Sequence, residues 1–268
     1  MKKHKIFSVI LNALGLIIFS ISFTPVCFSQ NISKWKSGSA KELRGKIYVL
    51  SCFISESHDR WSKDQKIQIL SETNKGMNWI SAQSKKYGVD LNFQYGCFGI
   101  DEDIEFNGIE RGGATGREDN LVIEKVLRKA GYTSSLNFYN WVLSNTDCDQ
   151  VHVLIFVKGN GNGYAMPYST DMGDYNFVEG AILYEKDPII SGSIAHETLH
   201  LYGAWDLYHN FSQSVEKEES ARRMLPGSIM LEITRNINNS NIDELTSWLI
   251  GWNRTQKNWY MWFKPTVY

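Results

Sequence analysis

The sequence predicts an α+β fold in which helices pack on a twisted, mixed sheet with an α/β-like upper part. Three observations carry that prediction. Lys46–Ile54 and Val151–Val157 are dense in β-branched and aromatic residues, the signature of buried strands. A long helical stretch over 62–87 separates the first of them from another strand-like run. Further strand signals then precede an apolar helix that carries two histidines. Strand, helix, strand, then strands and helix is the order expected when helices cover a sheet.

Each element follows from local pattern. Ser62–Tyr87 has few breakers and apolar residues at Ile67, Leu70, Met77 and Ile80, so it reads as one long helix or two joined near Gly76, with Gly88 as its stop. Val89–Phe98 alternates as a second strand, and the Gly- and acid-rich stretch from Gly99 to Gly116 reads as a surface loop. Leu121–Ala130 is an amphipathic helix closed by Gly131, and Leu136–Leu143 is also read as helical. Val151–Val157 is apolar without alternation, as in a central strand covered on both faces. Gly159–Gly163 is a turn, Tyr164–Tyr168 a short edge strand, and Val178–Tyr184 a further strand. Residues 30 to 45 are polar and read as a lead into the first strand.

The chain has 268 residues, 43% of them apolar, enough to bury one sizeable core. No linker argues for a second folded domain. With 28 basic and 29 acidic side chains there is no electrostatic case for nucleic acid or an anionic membrane as partner. Residues 1–29 read as a secretory signal peptide: Lys2, Lys3, His4 and Lys5 precede an apolar stretch from Ile6 to Phe23, then a short polar exit. Cleavage after Ser29 leaves Gln30 as the first mature residue, a secreted or periplasmic chain over 30–268, and no stable membrane partner. Cys52, Cys97 and Cys148 then remain; one bridge among them and three buried thiols are equally compatible with their spacing.

The chemistry lies in Asp187–Asp206. Asp187 suits an N-cap, Pro188 the first helical turn, and Gly203 a left-handed stop. Ile190, Ile194, Leu199 and Leu201 make the helix between them apolar on most sides. Two histidines and a glutamate in a buried helix need compensation, because unpaired polar groups there are costly. A metal ion supplies it. His196 and His200 stand four apart on one helical face, so their nitrogens can converge on one ion at roughly 2.0–2.1 Å. Gly203 lets the chain turn so that Asp206 offers a third ligand oxygen. Two nitrogens and one oxygen leave the open position that distinguishes a catalytic Zn2+ from a structural one. Glu197, beside the ligands, is placed as general base for a water at the ion. A bare H-E-x-x-H arises by chance in roughly one chain in a hundred of this length, and the added Gly and Asp lower that by about two orders.

His196-Glu197-x-x-His200-x-x-Gly203-x-x-Asp206 resembles the metzincin zinc signature, with Asp where most of that clan carry a third His. Snapalysin-type and immune inhibitor A-type peptidases are similar in this respect. Leu225–Met230 lies about where the clan places its Met-turn, and Asn241–Gly251 resembles its C-terminal helix. The resemblance implies a zinc metalloendopeptidase acting on peptide or protein substrates, with Glu197 as base and His196, His200 and Asp206 as metal ligands. It implies an upper subdomain with two long helices, a cleft floored by zinc and a small C-terminal subdomain holding the Met-turn. It also implies that the edge strand Tyr164–Tyr168 binds the peptide in extended form.

Departures and alternatives are specific. Glu232 stands where some metzincins carry a transition-state tyrosine, and Tyr208 is the candidate to replace it. His209 is the alternative third ligand, at an offset longer than the template. Asp101, Glu102 and Asp103, and likewise Asp171 and Asp174, lack an EF-hand spacing and read as solvated acids. Two other functions share the ligand set: hydrolysis of a non-peptide amide or ester, and zinc binding without turnover. The intact Glu197 argues against the second, since a structural site has no use for a base.

Overall fold

Alternation along two long strands organises the molecule into two cores. The computed structural model describes residues 38–56, 59–106, 117–166, 178–186 and 188–266. The expected signal peptide and its cleavage point lie outside them. β1 (Gly45–Glu56) and β4 (Gln150–Lys158) lie side by side and parallel, with Leu50 opposite Val153. Every residue of β4 is buried, the pattern of a central strand covered on both faces.

β2 (Leu91–Phe98) and β3 (Ile104–Phe106) flank β1, while β6 (Glu179–Tyr184) flanks β4, all parallel. β5 (Tyr164–Met166) closes the far edge, antiparallel to β6, giving the order β2-β1-β4-β6-β5. This is a mixed α/β arrangement on a mostly parallel sheet. The period-two alternation sends Val151, Val153, Ile155 and Val157 to one core, shared with α2 (Arg117–Lys129) and α3 (Ser135–Asn145). Leu154, Phe156, Ala181 and Leu183 face the other core, shared with α1 (Lys63–Lys85) and α4 (Ser191–Leu201).

α1 begins with a reciprocal cap: the Ser62 hydroxyl accepts from the Gln65 amide at 3.2 Å and Gln65 Oε1 accepts from the Ser62 amide at 3.0 Å. It runs unbroken through Gly76. A Cβ there would stand 2.9 Å from the Ser191 carbonyl oxygen, so the glycine is what lets α4 approach. α4 itself starts later than the sequence suggests. Asp187 lies outside the described residues, and Ile190, which has no side-chain acceptor, holds the cap position. Its work is done from elsewhere: Glu72 on α1 accepts from the Ser191 amide at 2.9 Å. Burial works against the Glu72 charge, but Lys75 and this amide hold its carboxyl below the ordinary range. α4 is also only about half the length of α1, so among the described residues one long helix stands where two were expected.

Three further regions depart from expectation. The acidic loop after β2 is anchored rather than solvated: Asp103 pairs with Lys66 at 2.7 Å, both side chains nearly shut off from water. Asp103 also accepts from the Trp61 amide at 2.8 Å, and β3 follows at once. A buried lysine needs that counter-charge, which overrides the loop's polar composition. α5 (Val215–Met224) has no counterpart in the sequence reading, and the C-terminal helix α6 is confined to Glu244–Leu249. Cys52, Cys97 and Cys148 are free thiols, with Cys52 and Cys97 in opposite cores.

The polar lead, finally, is a buried strap. Ser39, Ala40 and Leu43 have no exposed surface. The Ala40 amide donates to Glu179 Oε2 at 2.8 Å, and the Leu43 amide to the Ile250 carbonyl at 3.0 Å. Ser39 Oγ lies 2.6 Å from the Val151 carbonyl and 2.8 Å from Glu179 Oε2. A hydroxyl has one proton, which Ser39 shares between these two acceptors. Donation from Ser39 and from the Ala40 amide favours the ionised Glu179, but burial outweighs both. Burial is the main cause that pushes the Glu179 carboxyl up to about 7. His152, its register partner on β4, is pushed down to about 3 by burial and supplies no counter-charge.

The linkage is a raised carboxyl. The stability contributed by protonated Glu179 is present in full below the ordinary glutamate range and lost as pH rises to about 7 and beyond. Unfolding free energies from urea titrations at pH 4 to 8 should therefore fall across this window by an amount on the order of 3 kcal/mol. Glu179→Gln should flatten that fall; an unchanged slope would place the titration elsewhere.

Candidate metal centre

α4 presents His196 and His200 one turn apart toward the segment that follows it. Gly203, at φ 96°, ends the helix in the left-handed region. Its amide donates to the His200 carbonyl at 2.9 Å and the Ala204 amide to the Leu199 carbonyl at 3.1 Å. That reversal brings Asp206 back over the two imidazoles. The Nε2 atoms of His196 and His200 lie 3.1 Å apart, and Asp206 Oδ1 lies 3.3 and 3.1 Å from them.

The protons are placed by the other ring nitrogen. His196 Nδ1 is 2.9 Å from the Ile229 carbonyl and His200 Nδ1 is 2.8 Å from the Ala204 carbonyl. A carbonyl only accepts, so both Nδ1 atoms carry hydrogen and both Nε2 lone pairs face inward. Asp206 Oδ1 is buried and faces the two Nε2 atoms, with no other donor on it. Three lone-pair atoms therefore converge on one point. A tetrahedral ion with bonds of roughly 2.0–2.1 Å sets its ligands about 3.3–3.4 Å apart, close to this triangle. The three side chains fit a metal ion, and they form the one such group among the described residues.

A cation is wanted here for electrostatic reasons too. With no metal, burial pushes the His200 imidazole down, but Asp206 and then Glu197 outweigh it and hold His200 up at about 9. Burial opposes the Asp206 charge, yet His200 and His196 keep its carboxyl far below the usual range. The proton on His200 stands where a metal charge would.

One turn secures two of the ligands. Ser228 Oγ accepts from the Met230 amide at 3.1 Å, and the Ser228 carbonyl accepts from Leu231 and Glu232 at 3.1 and 3.2 Å. The turn so formed offers the Ile229 carbonyl to His196 and the Met230 carbonyl to the Leu207 amide, the latter at 2.9 Å. Ser228 in turn donates to Asp243 at 2.6 Å, and Asp243 caps α6 through the Thr246 amide at 2.9 Å. Met230 is fully buried.

Glu197 sits beside the triangle and outside it. Its Oε1 lies 4.0 Å from the position a side chain at Gly163 would take, at the start of β5. Its charge reaches both His200 and Tyr208. Tyr208, given little weight by sequence alone, stands with its ring 6.2 Å from that of His196. Burial, then Asp206 and Glu197, push its phenol far above the usual range, so it keeps its proton as a donor. Glu232 points to solvent, 3.9 Å from Arg222, and His209 donates its amide to Glu218 at 2.7 Å without joining the cluster. Asn210 and Gln213 were not singled out in the sequence. Asn210 Nδ2 donates to Asp206 Oδ2 and Gln213 Nε2 to the Asp206 carbonyl, both at 2.9 Å. Their offsets belong to an irregular loop, where no helical or strand period marks them.

No protein-family model matches the chain, and no curated protein does. Among solved structures, a chain described as "Structure of a chaperone-substrate complex" is similar at 14% identity and TM-score 0.33, over 64% of this chain. The match spans 25% of that chain's own length.

If the Asp206 charge holds the His200 proton, removing it weakens the opposition to burial. In metal-free Asp206→Asn, His200 should titrate clearly below its wild-type value of about 9, toward the ordinary histidine range. A pH series of imidazole NMR shifts reads this directly, and an unmoved titration would show another group to be responsible.

Proposed function

We propose that this chain is a secreted zinc-dependent endopeptidase with Glu197 as its general base. One observation carries the reading: two tethered imidazoles and one buried carboxylate oxygen converge on a point to which no fourth protein ligand is supplied among the described residues. A structural zinc site is closed by four protein ligands, whereas a catalytic one keeps a position for solvent. The spacing of these ligands, Gly203, and the turn carrying Met230 support a metzincin-like site with an Asp third ligand. Those likenesses are to the motif and its local surroundings.

Zinc at this point would supply Lewis-acid polarisation of a substrate carbonyl and a more acidic water. The chain's own groups do the rest. Among the described strands β5 is the edge of the sheet, antiparallel to β6, and an extended peptide would run alongside it as one more strand. That pairing would lay the scissile bond along the Glu197 side of the triangle, since Gly163 adjoins Glu197. Glu197 takes a proton from the attacking water and passes it to the departing amine. Tyr208, protonated and directed at the same space, donates a hydrogen bond to the oxygen on which negative charge develops.

Purified protein should hold one zinc per chain and degrade an unstructured protein such as casein until a chelator is added. Glu197→Gln should retain zinc and lose activity by roughly 100- to 10,000-fold, while His200→Ala should lose both. Undiminished cleavage by Glu197→Gln would refute the mechanism, and zinc uptake with no hydrolysis of peptides by the wild type would leave a binding protein.

Tyr208→Phe should lower kcat by roughly 100-fold with little change in KM, as for loss of one oxyanion donor. An equal rise in KM with kcat intact would assign the tyrosine to substrate binding instead.

A further inference from the structure

We propose that Asn210 is the positioning residue of the third ligand, its carboxamide setting the Asp206 carboxylate so that Oδ1 faces the two imidazoles. This rests on the metal-site reading above and adds to it a residue four positions beyond the ligand.

The orientation of the Asn210 amide is forced by chemistry. One of its terminal atoms meets the Ser212 amide at 2.8 Å, the Ser212 hydroxyl at 2.9 Å and the Gln213 amide at 3.0 Å. Backbone N–H groups only donate, so that atom is the oxygen. The NH2 group is thereby turned to the other side, where it meets Asp206 Oδ2 at 2.9 Å. Three contacts on one end lock the plane of the amide, and the donor at the other end is fixed as a result.

The main chain at Asp206 is already held without Asn210. Gln213 Nε2 ties the Asp206 carbonyl to that of Phe263, at 2.9 and 2.8 Å. The Leu207 amide binds the Met230 carbonyl at 2.9 Å. What these bonds leave open is rotation of the carboxylate about its own axis. Engaging Oδ2 fixes that rotation and presents the buried Oδ1, which has no other donor on it, to the Nε2 atoms at 3.1 and 3.3 Å. Tyr208 also reaches this carboxylate, but its hydroxyl is shared with Asn210. A rotatable hydroxyl does not fix a carboxylate plane; a locked carboxamide does. Outer hydrogen-bond partners of metal ligands are typically worth about 10- to 100-fold in metal affinity.

Two variants separate this role from that of a mere turn former. Asn210→Ala removes both the turn acceptor and the donor. Asn210→Ser keeps an acceptor for the Ser212 and Gln213 amides but is too short to reach Asp206. Zinc dissociation constants measured by competition with a chromophoric chelator should rise about 10- to 100-fold in both variants. The visible spectrum of the cobalt-loaded Asn210→Ser protein should also change, because one ligand is no longer held in place. If Asn210 served the turn alone, Asn210→Ser would bind zinc as the wild type does and keep its cobalt spectrum, which would overturn the proposal. A wild-type chain that takes up no zinc would instead overturn the metallopeptidase reading, and this inference with it. One measurement needs no variant. In the metal-free wild type the Asn210 carboxamide protons should exchange with solvent more slowly than those of an exposed asparagine, and free exchange would equally sink the assignment.

Discussion

The physical constraint on which this molecule turns is the forced meeting of three electron-rich atoms in a space mostly closed to water. Without a cation or a proton between them, two imidazole nitrogens and a carboxylate oxygen about 3 Å apart repel one another and lack solvation. They stay together because each is gripped from behind. Ile229 and Ala204 hold the rings by their far nitrogens, and Asn210 holds the carboxylate by its far oxygen. The grips come from the loop that follows α4 and from the distant turn at Ile229, so the site is a property of the tertiary fold and not of α4 by itself.

α4 in turn depends on its neighbours. Its first amide is satisfied by Glu72, a residue of α1, and its first turn lies against Gly76 of the same helix. The two helices share one core below the sheet, while α2 and α3 fill the other. The chemistry is thus concentrated on one face of the sheet. On that same face His152 and Tyr202 contact each other at 3.0 Å, beside the strap that Glu179 secures.

What the sequence made legible was whatever depends on period. The ligand helix follows from two histidines four apart among apolar residues, and the reversal from Gly203 at φ 96°. The central strand follows from an unbroken apolar run, and the edge strand from a short segment after a glycine turn. What escaped depends on partners distant in the chain. Ser39 and Ala40 look like a solvated lead until Glu179 is known to be behind them. Asp103 looks like one acid among three until Lys66 is seen to be buried beside it. α4 begins three residues past Pro188 because its cap comes from Glu72. Asn210 sits in a loop without regular spacing, and nothing local distinguishes it from any other turn asparagine. Tyr208 is told apart from a packing aromatic only by the two carboxylates that surround its hydroxyl.

Gln213 joins the carbonyl of Asp206 to that of Phe263, fifty positions further on, within the last helical turn Asn258–Phe263. The tail is therefore a buttress of the loop that bears the third ligand, although it contributes no atom to the triangle. For protein engineering this sets a boundary. Grafting the ligand helix and its loop onto another scaffold would have to bring the closing aromatic segment along, and trimming that segment would loosen a ligand that the cut never touches.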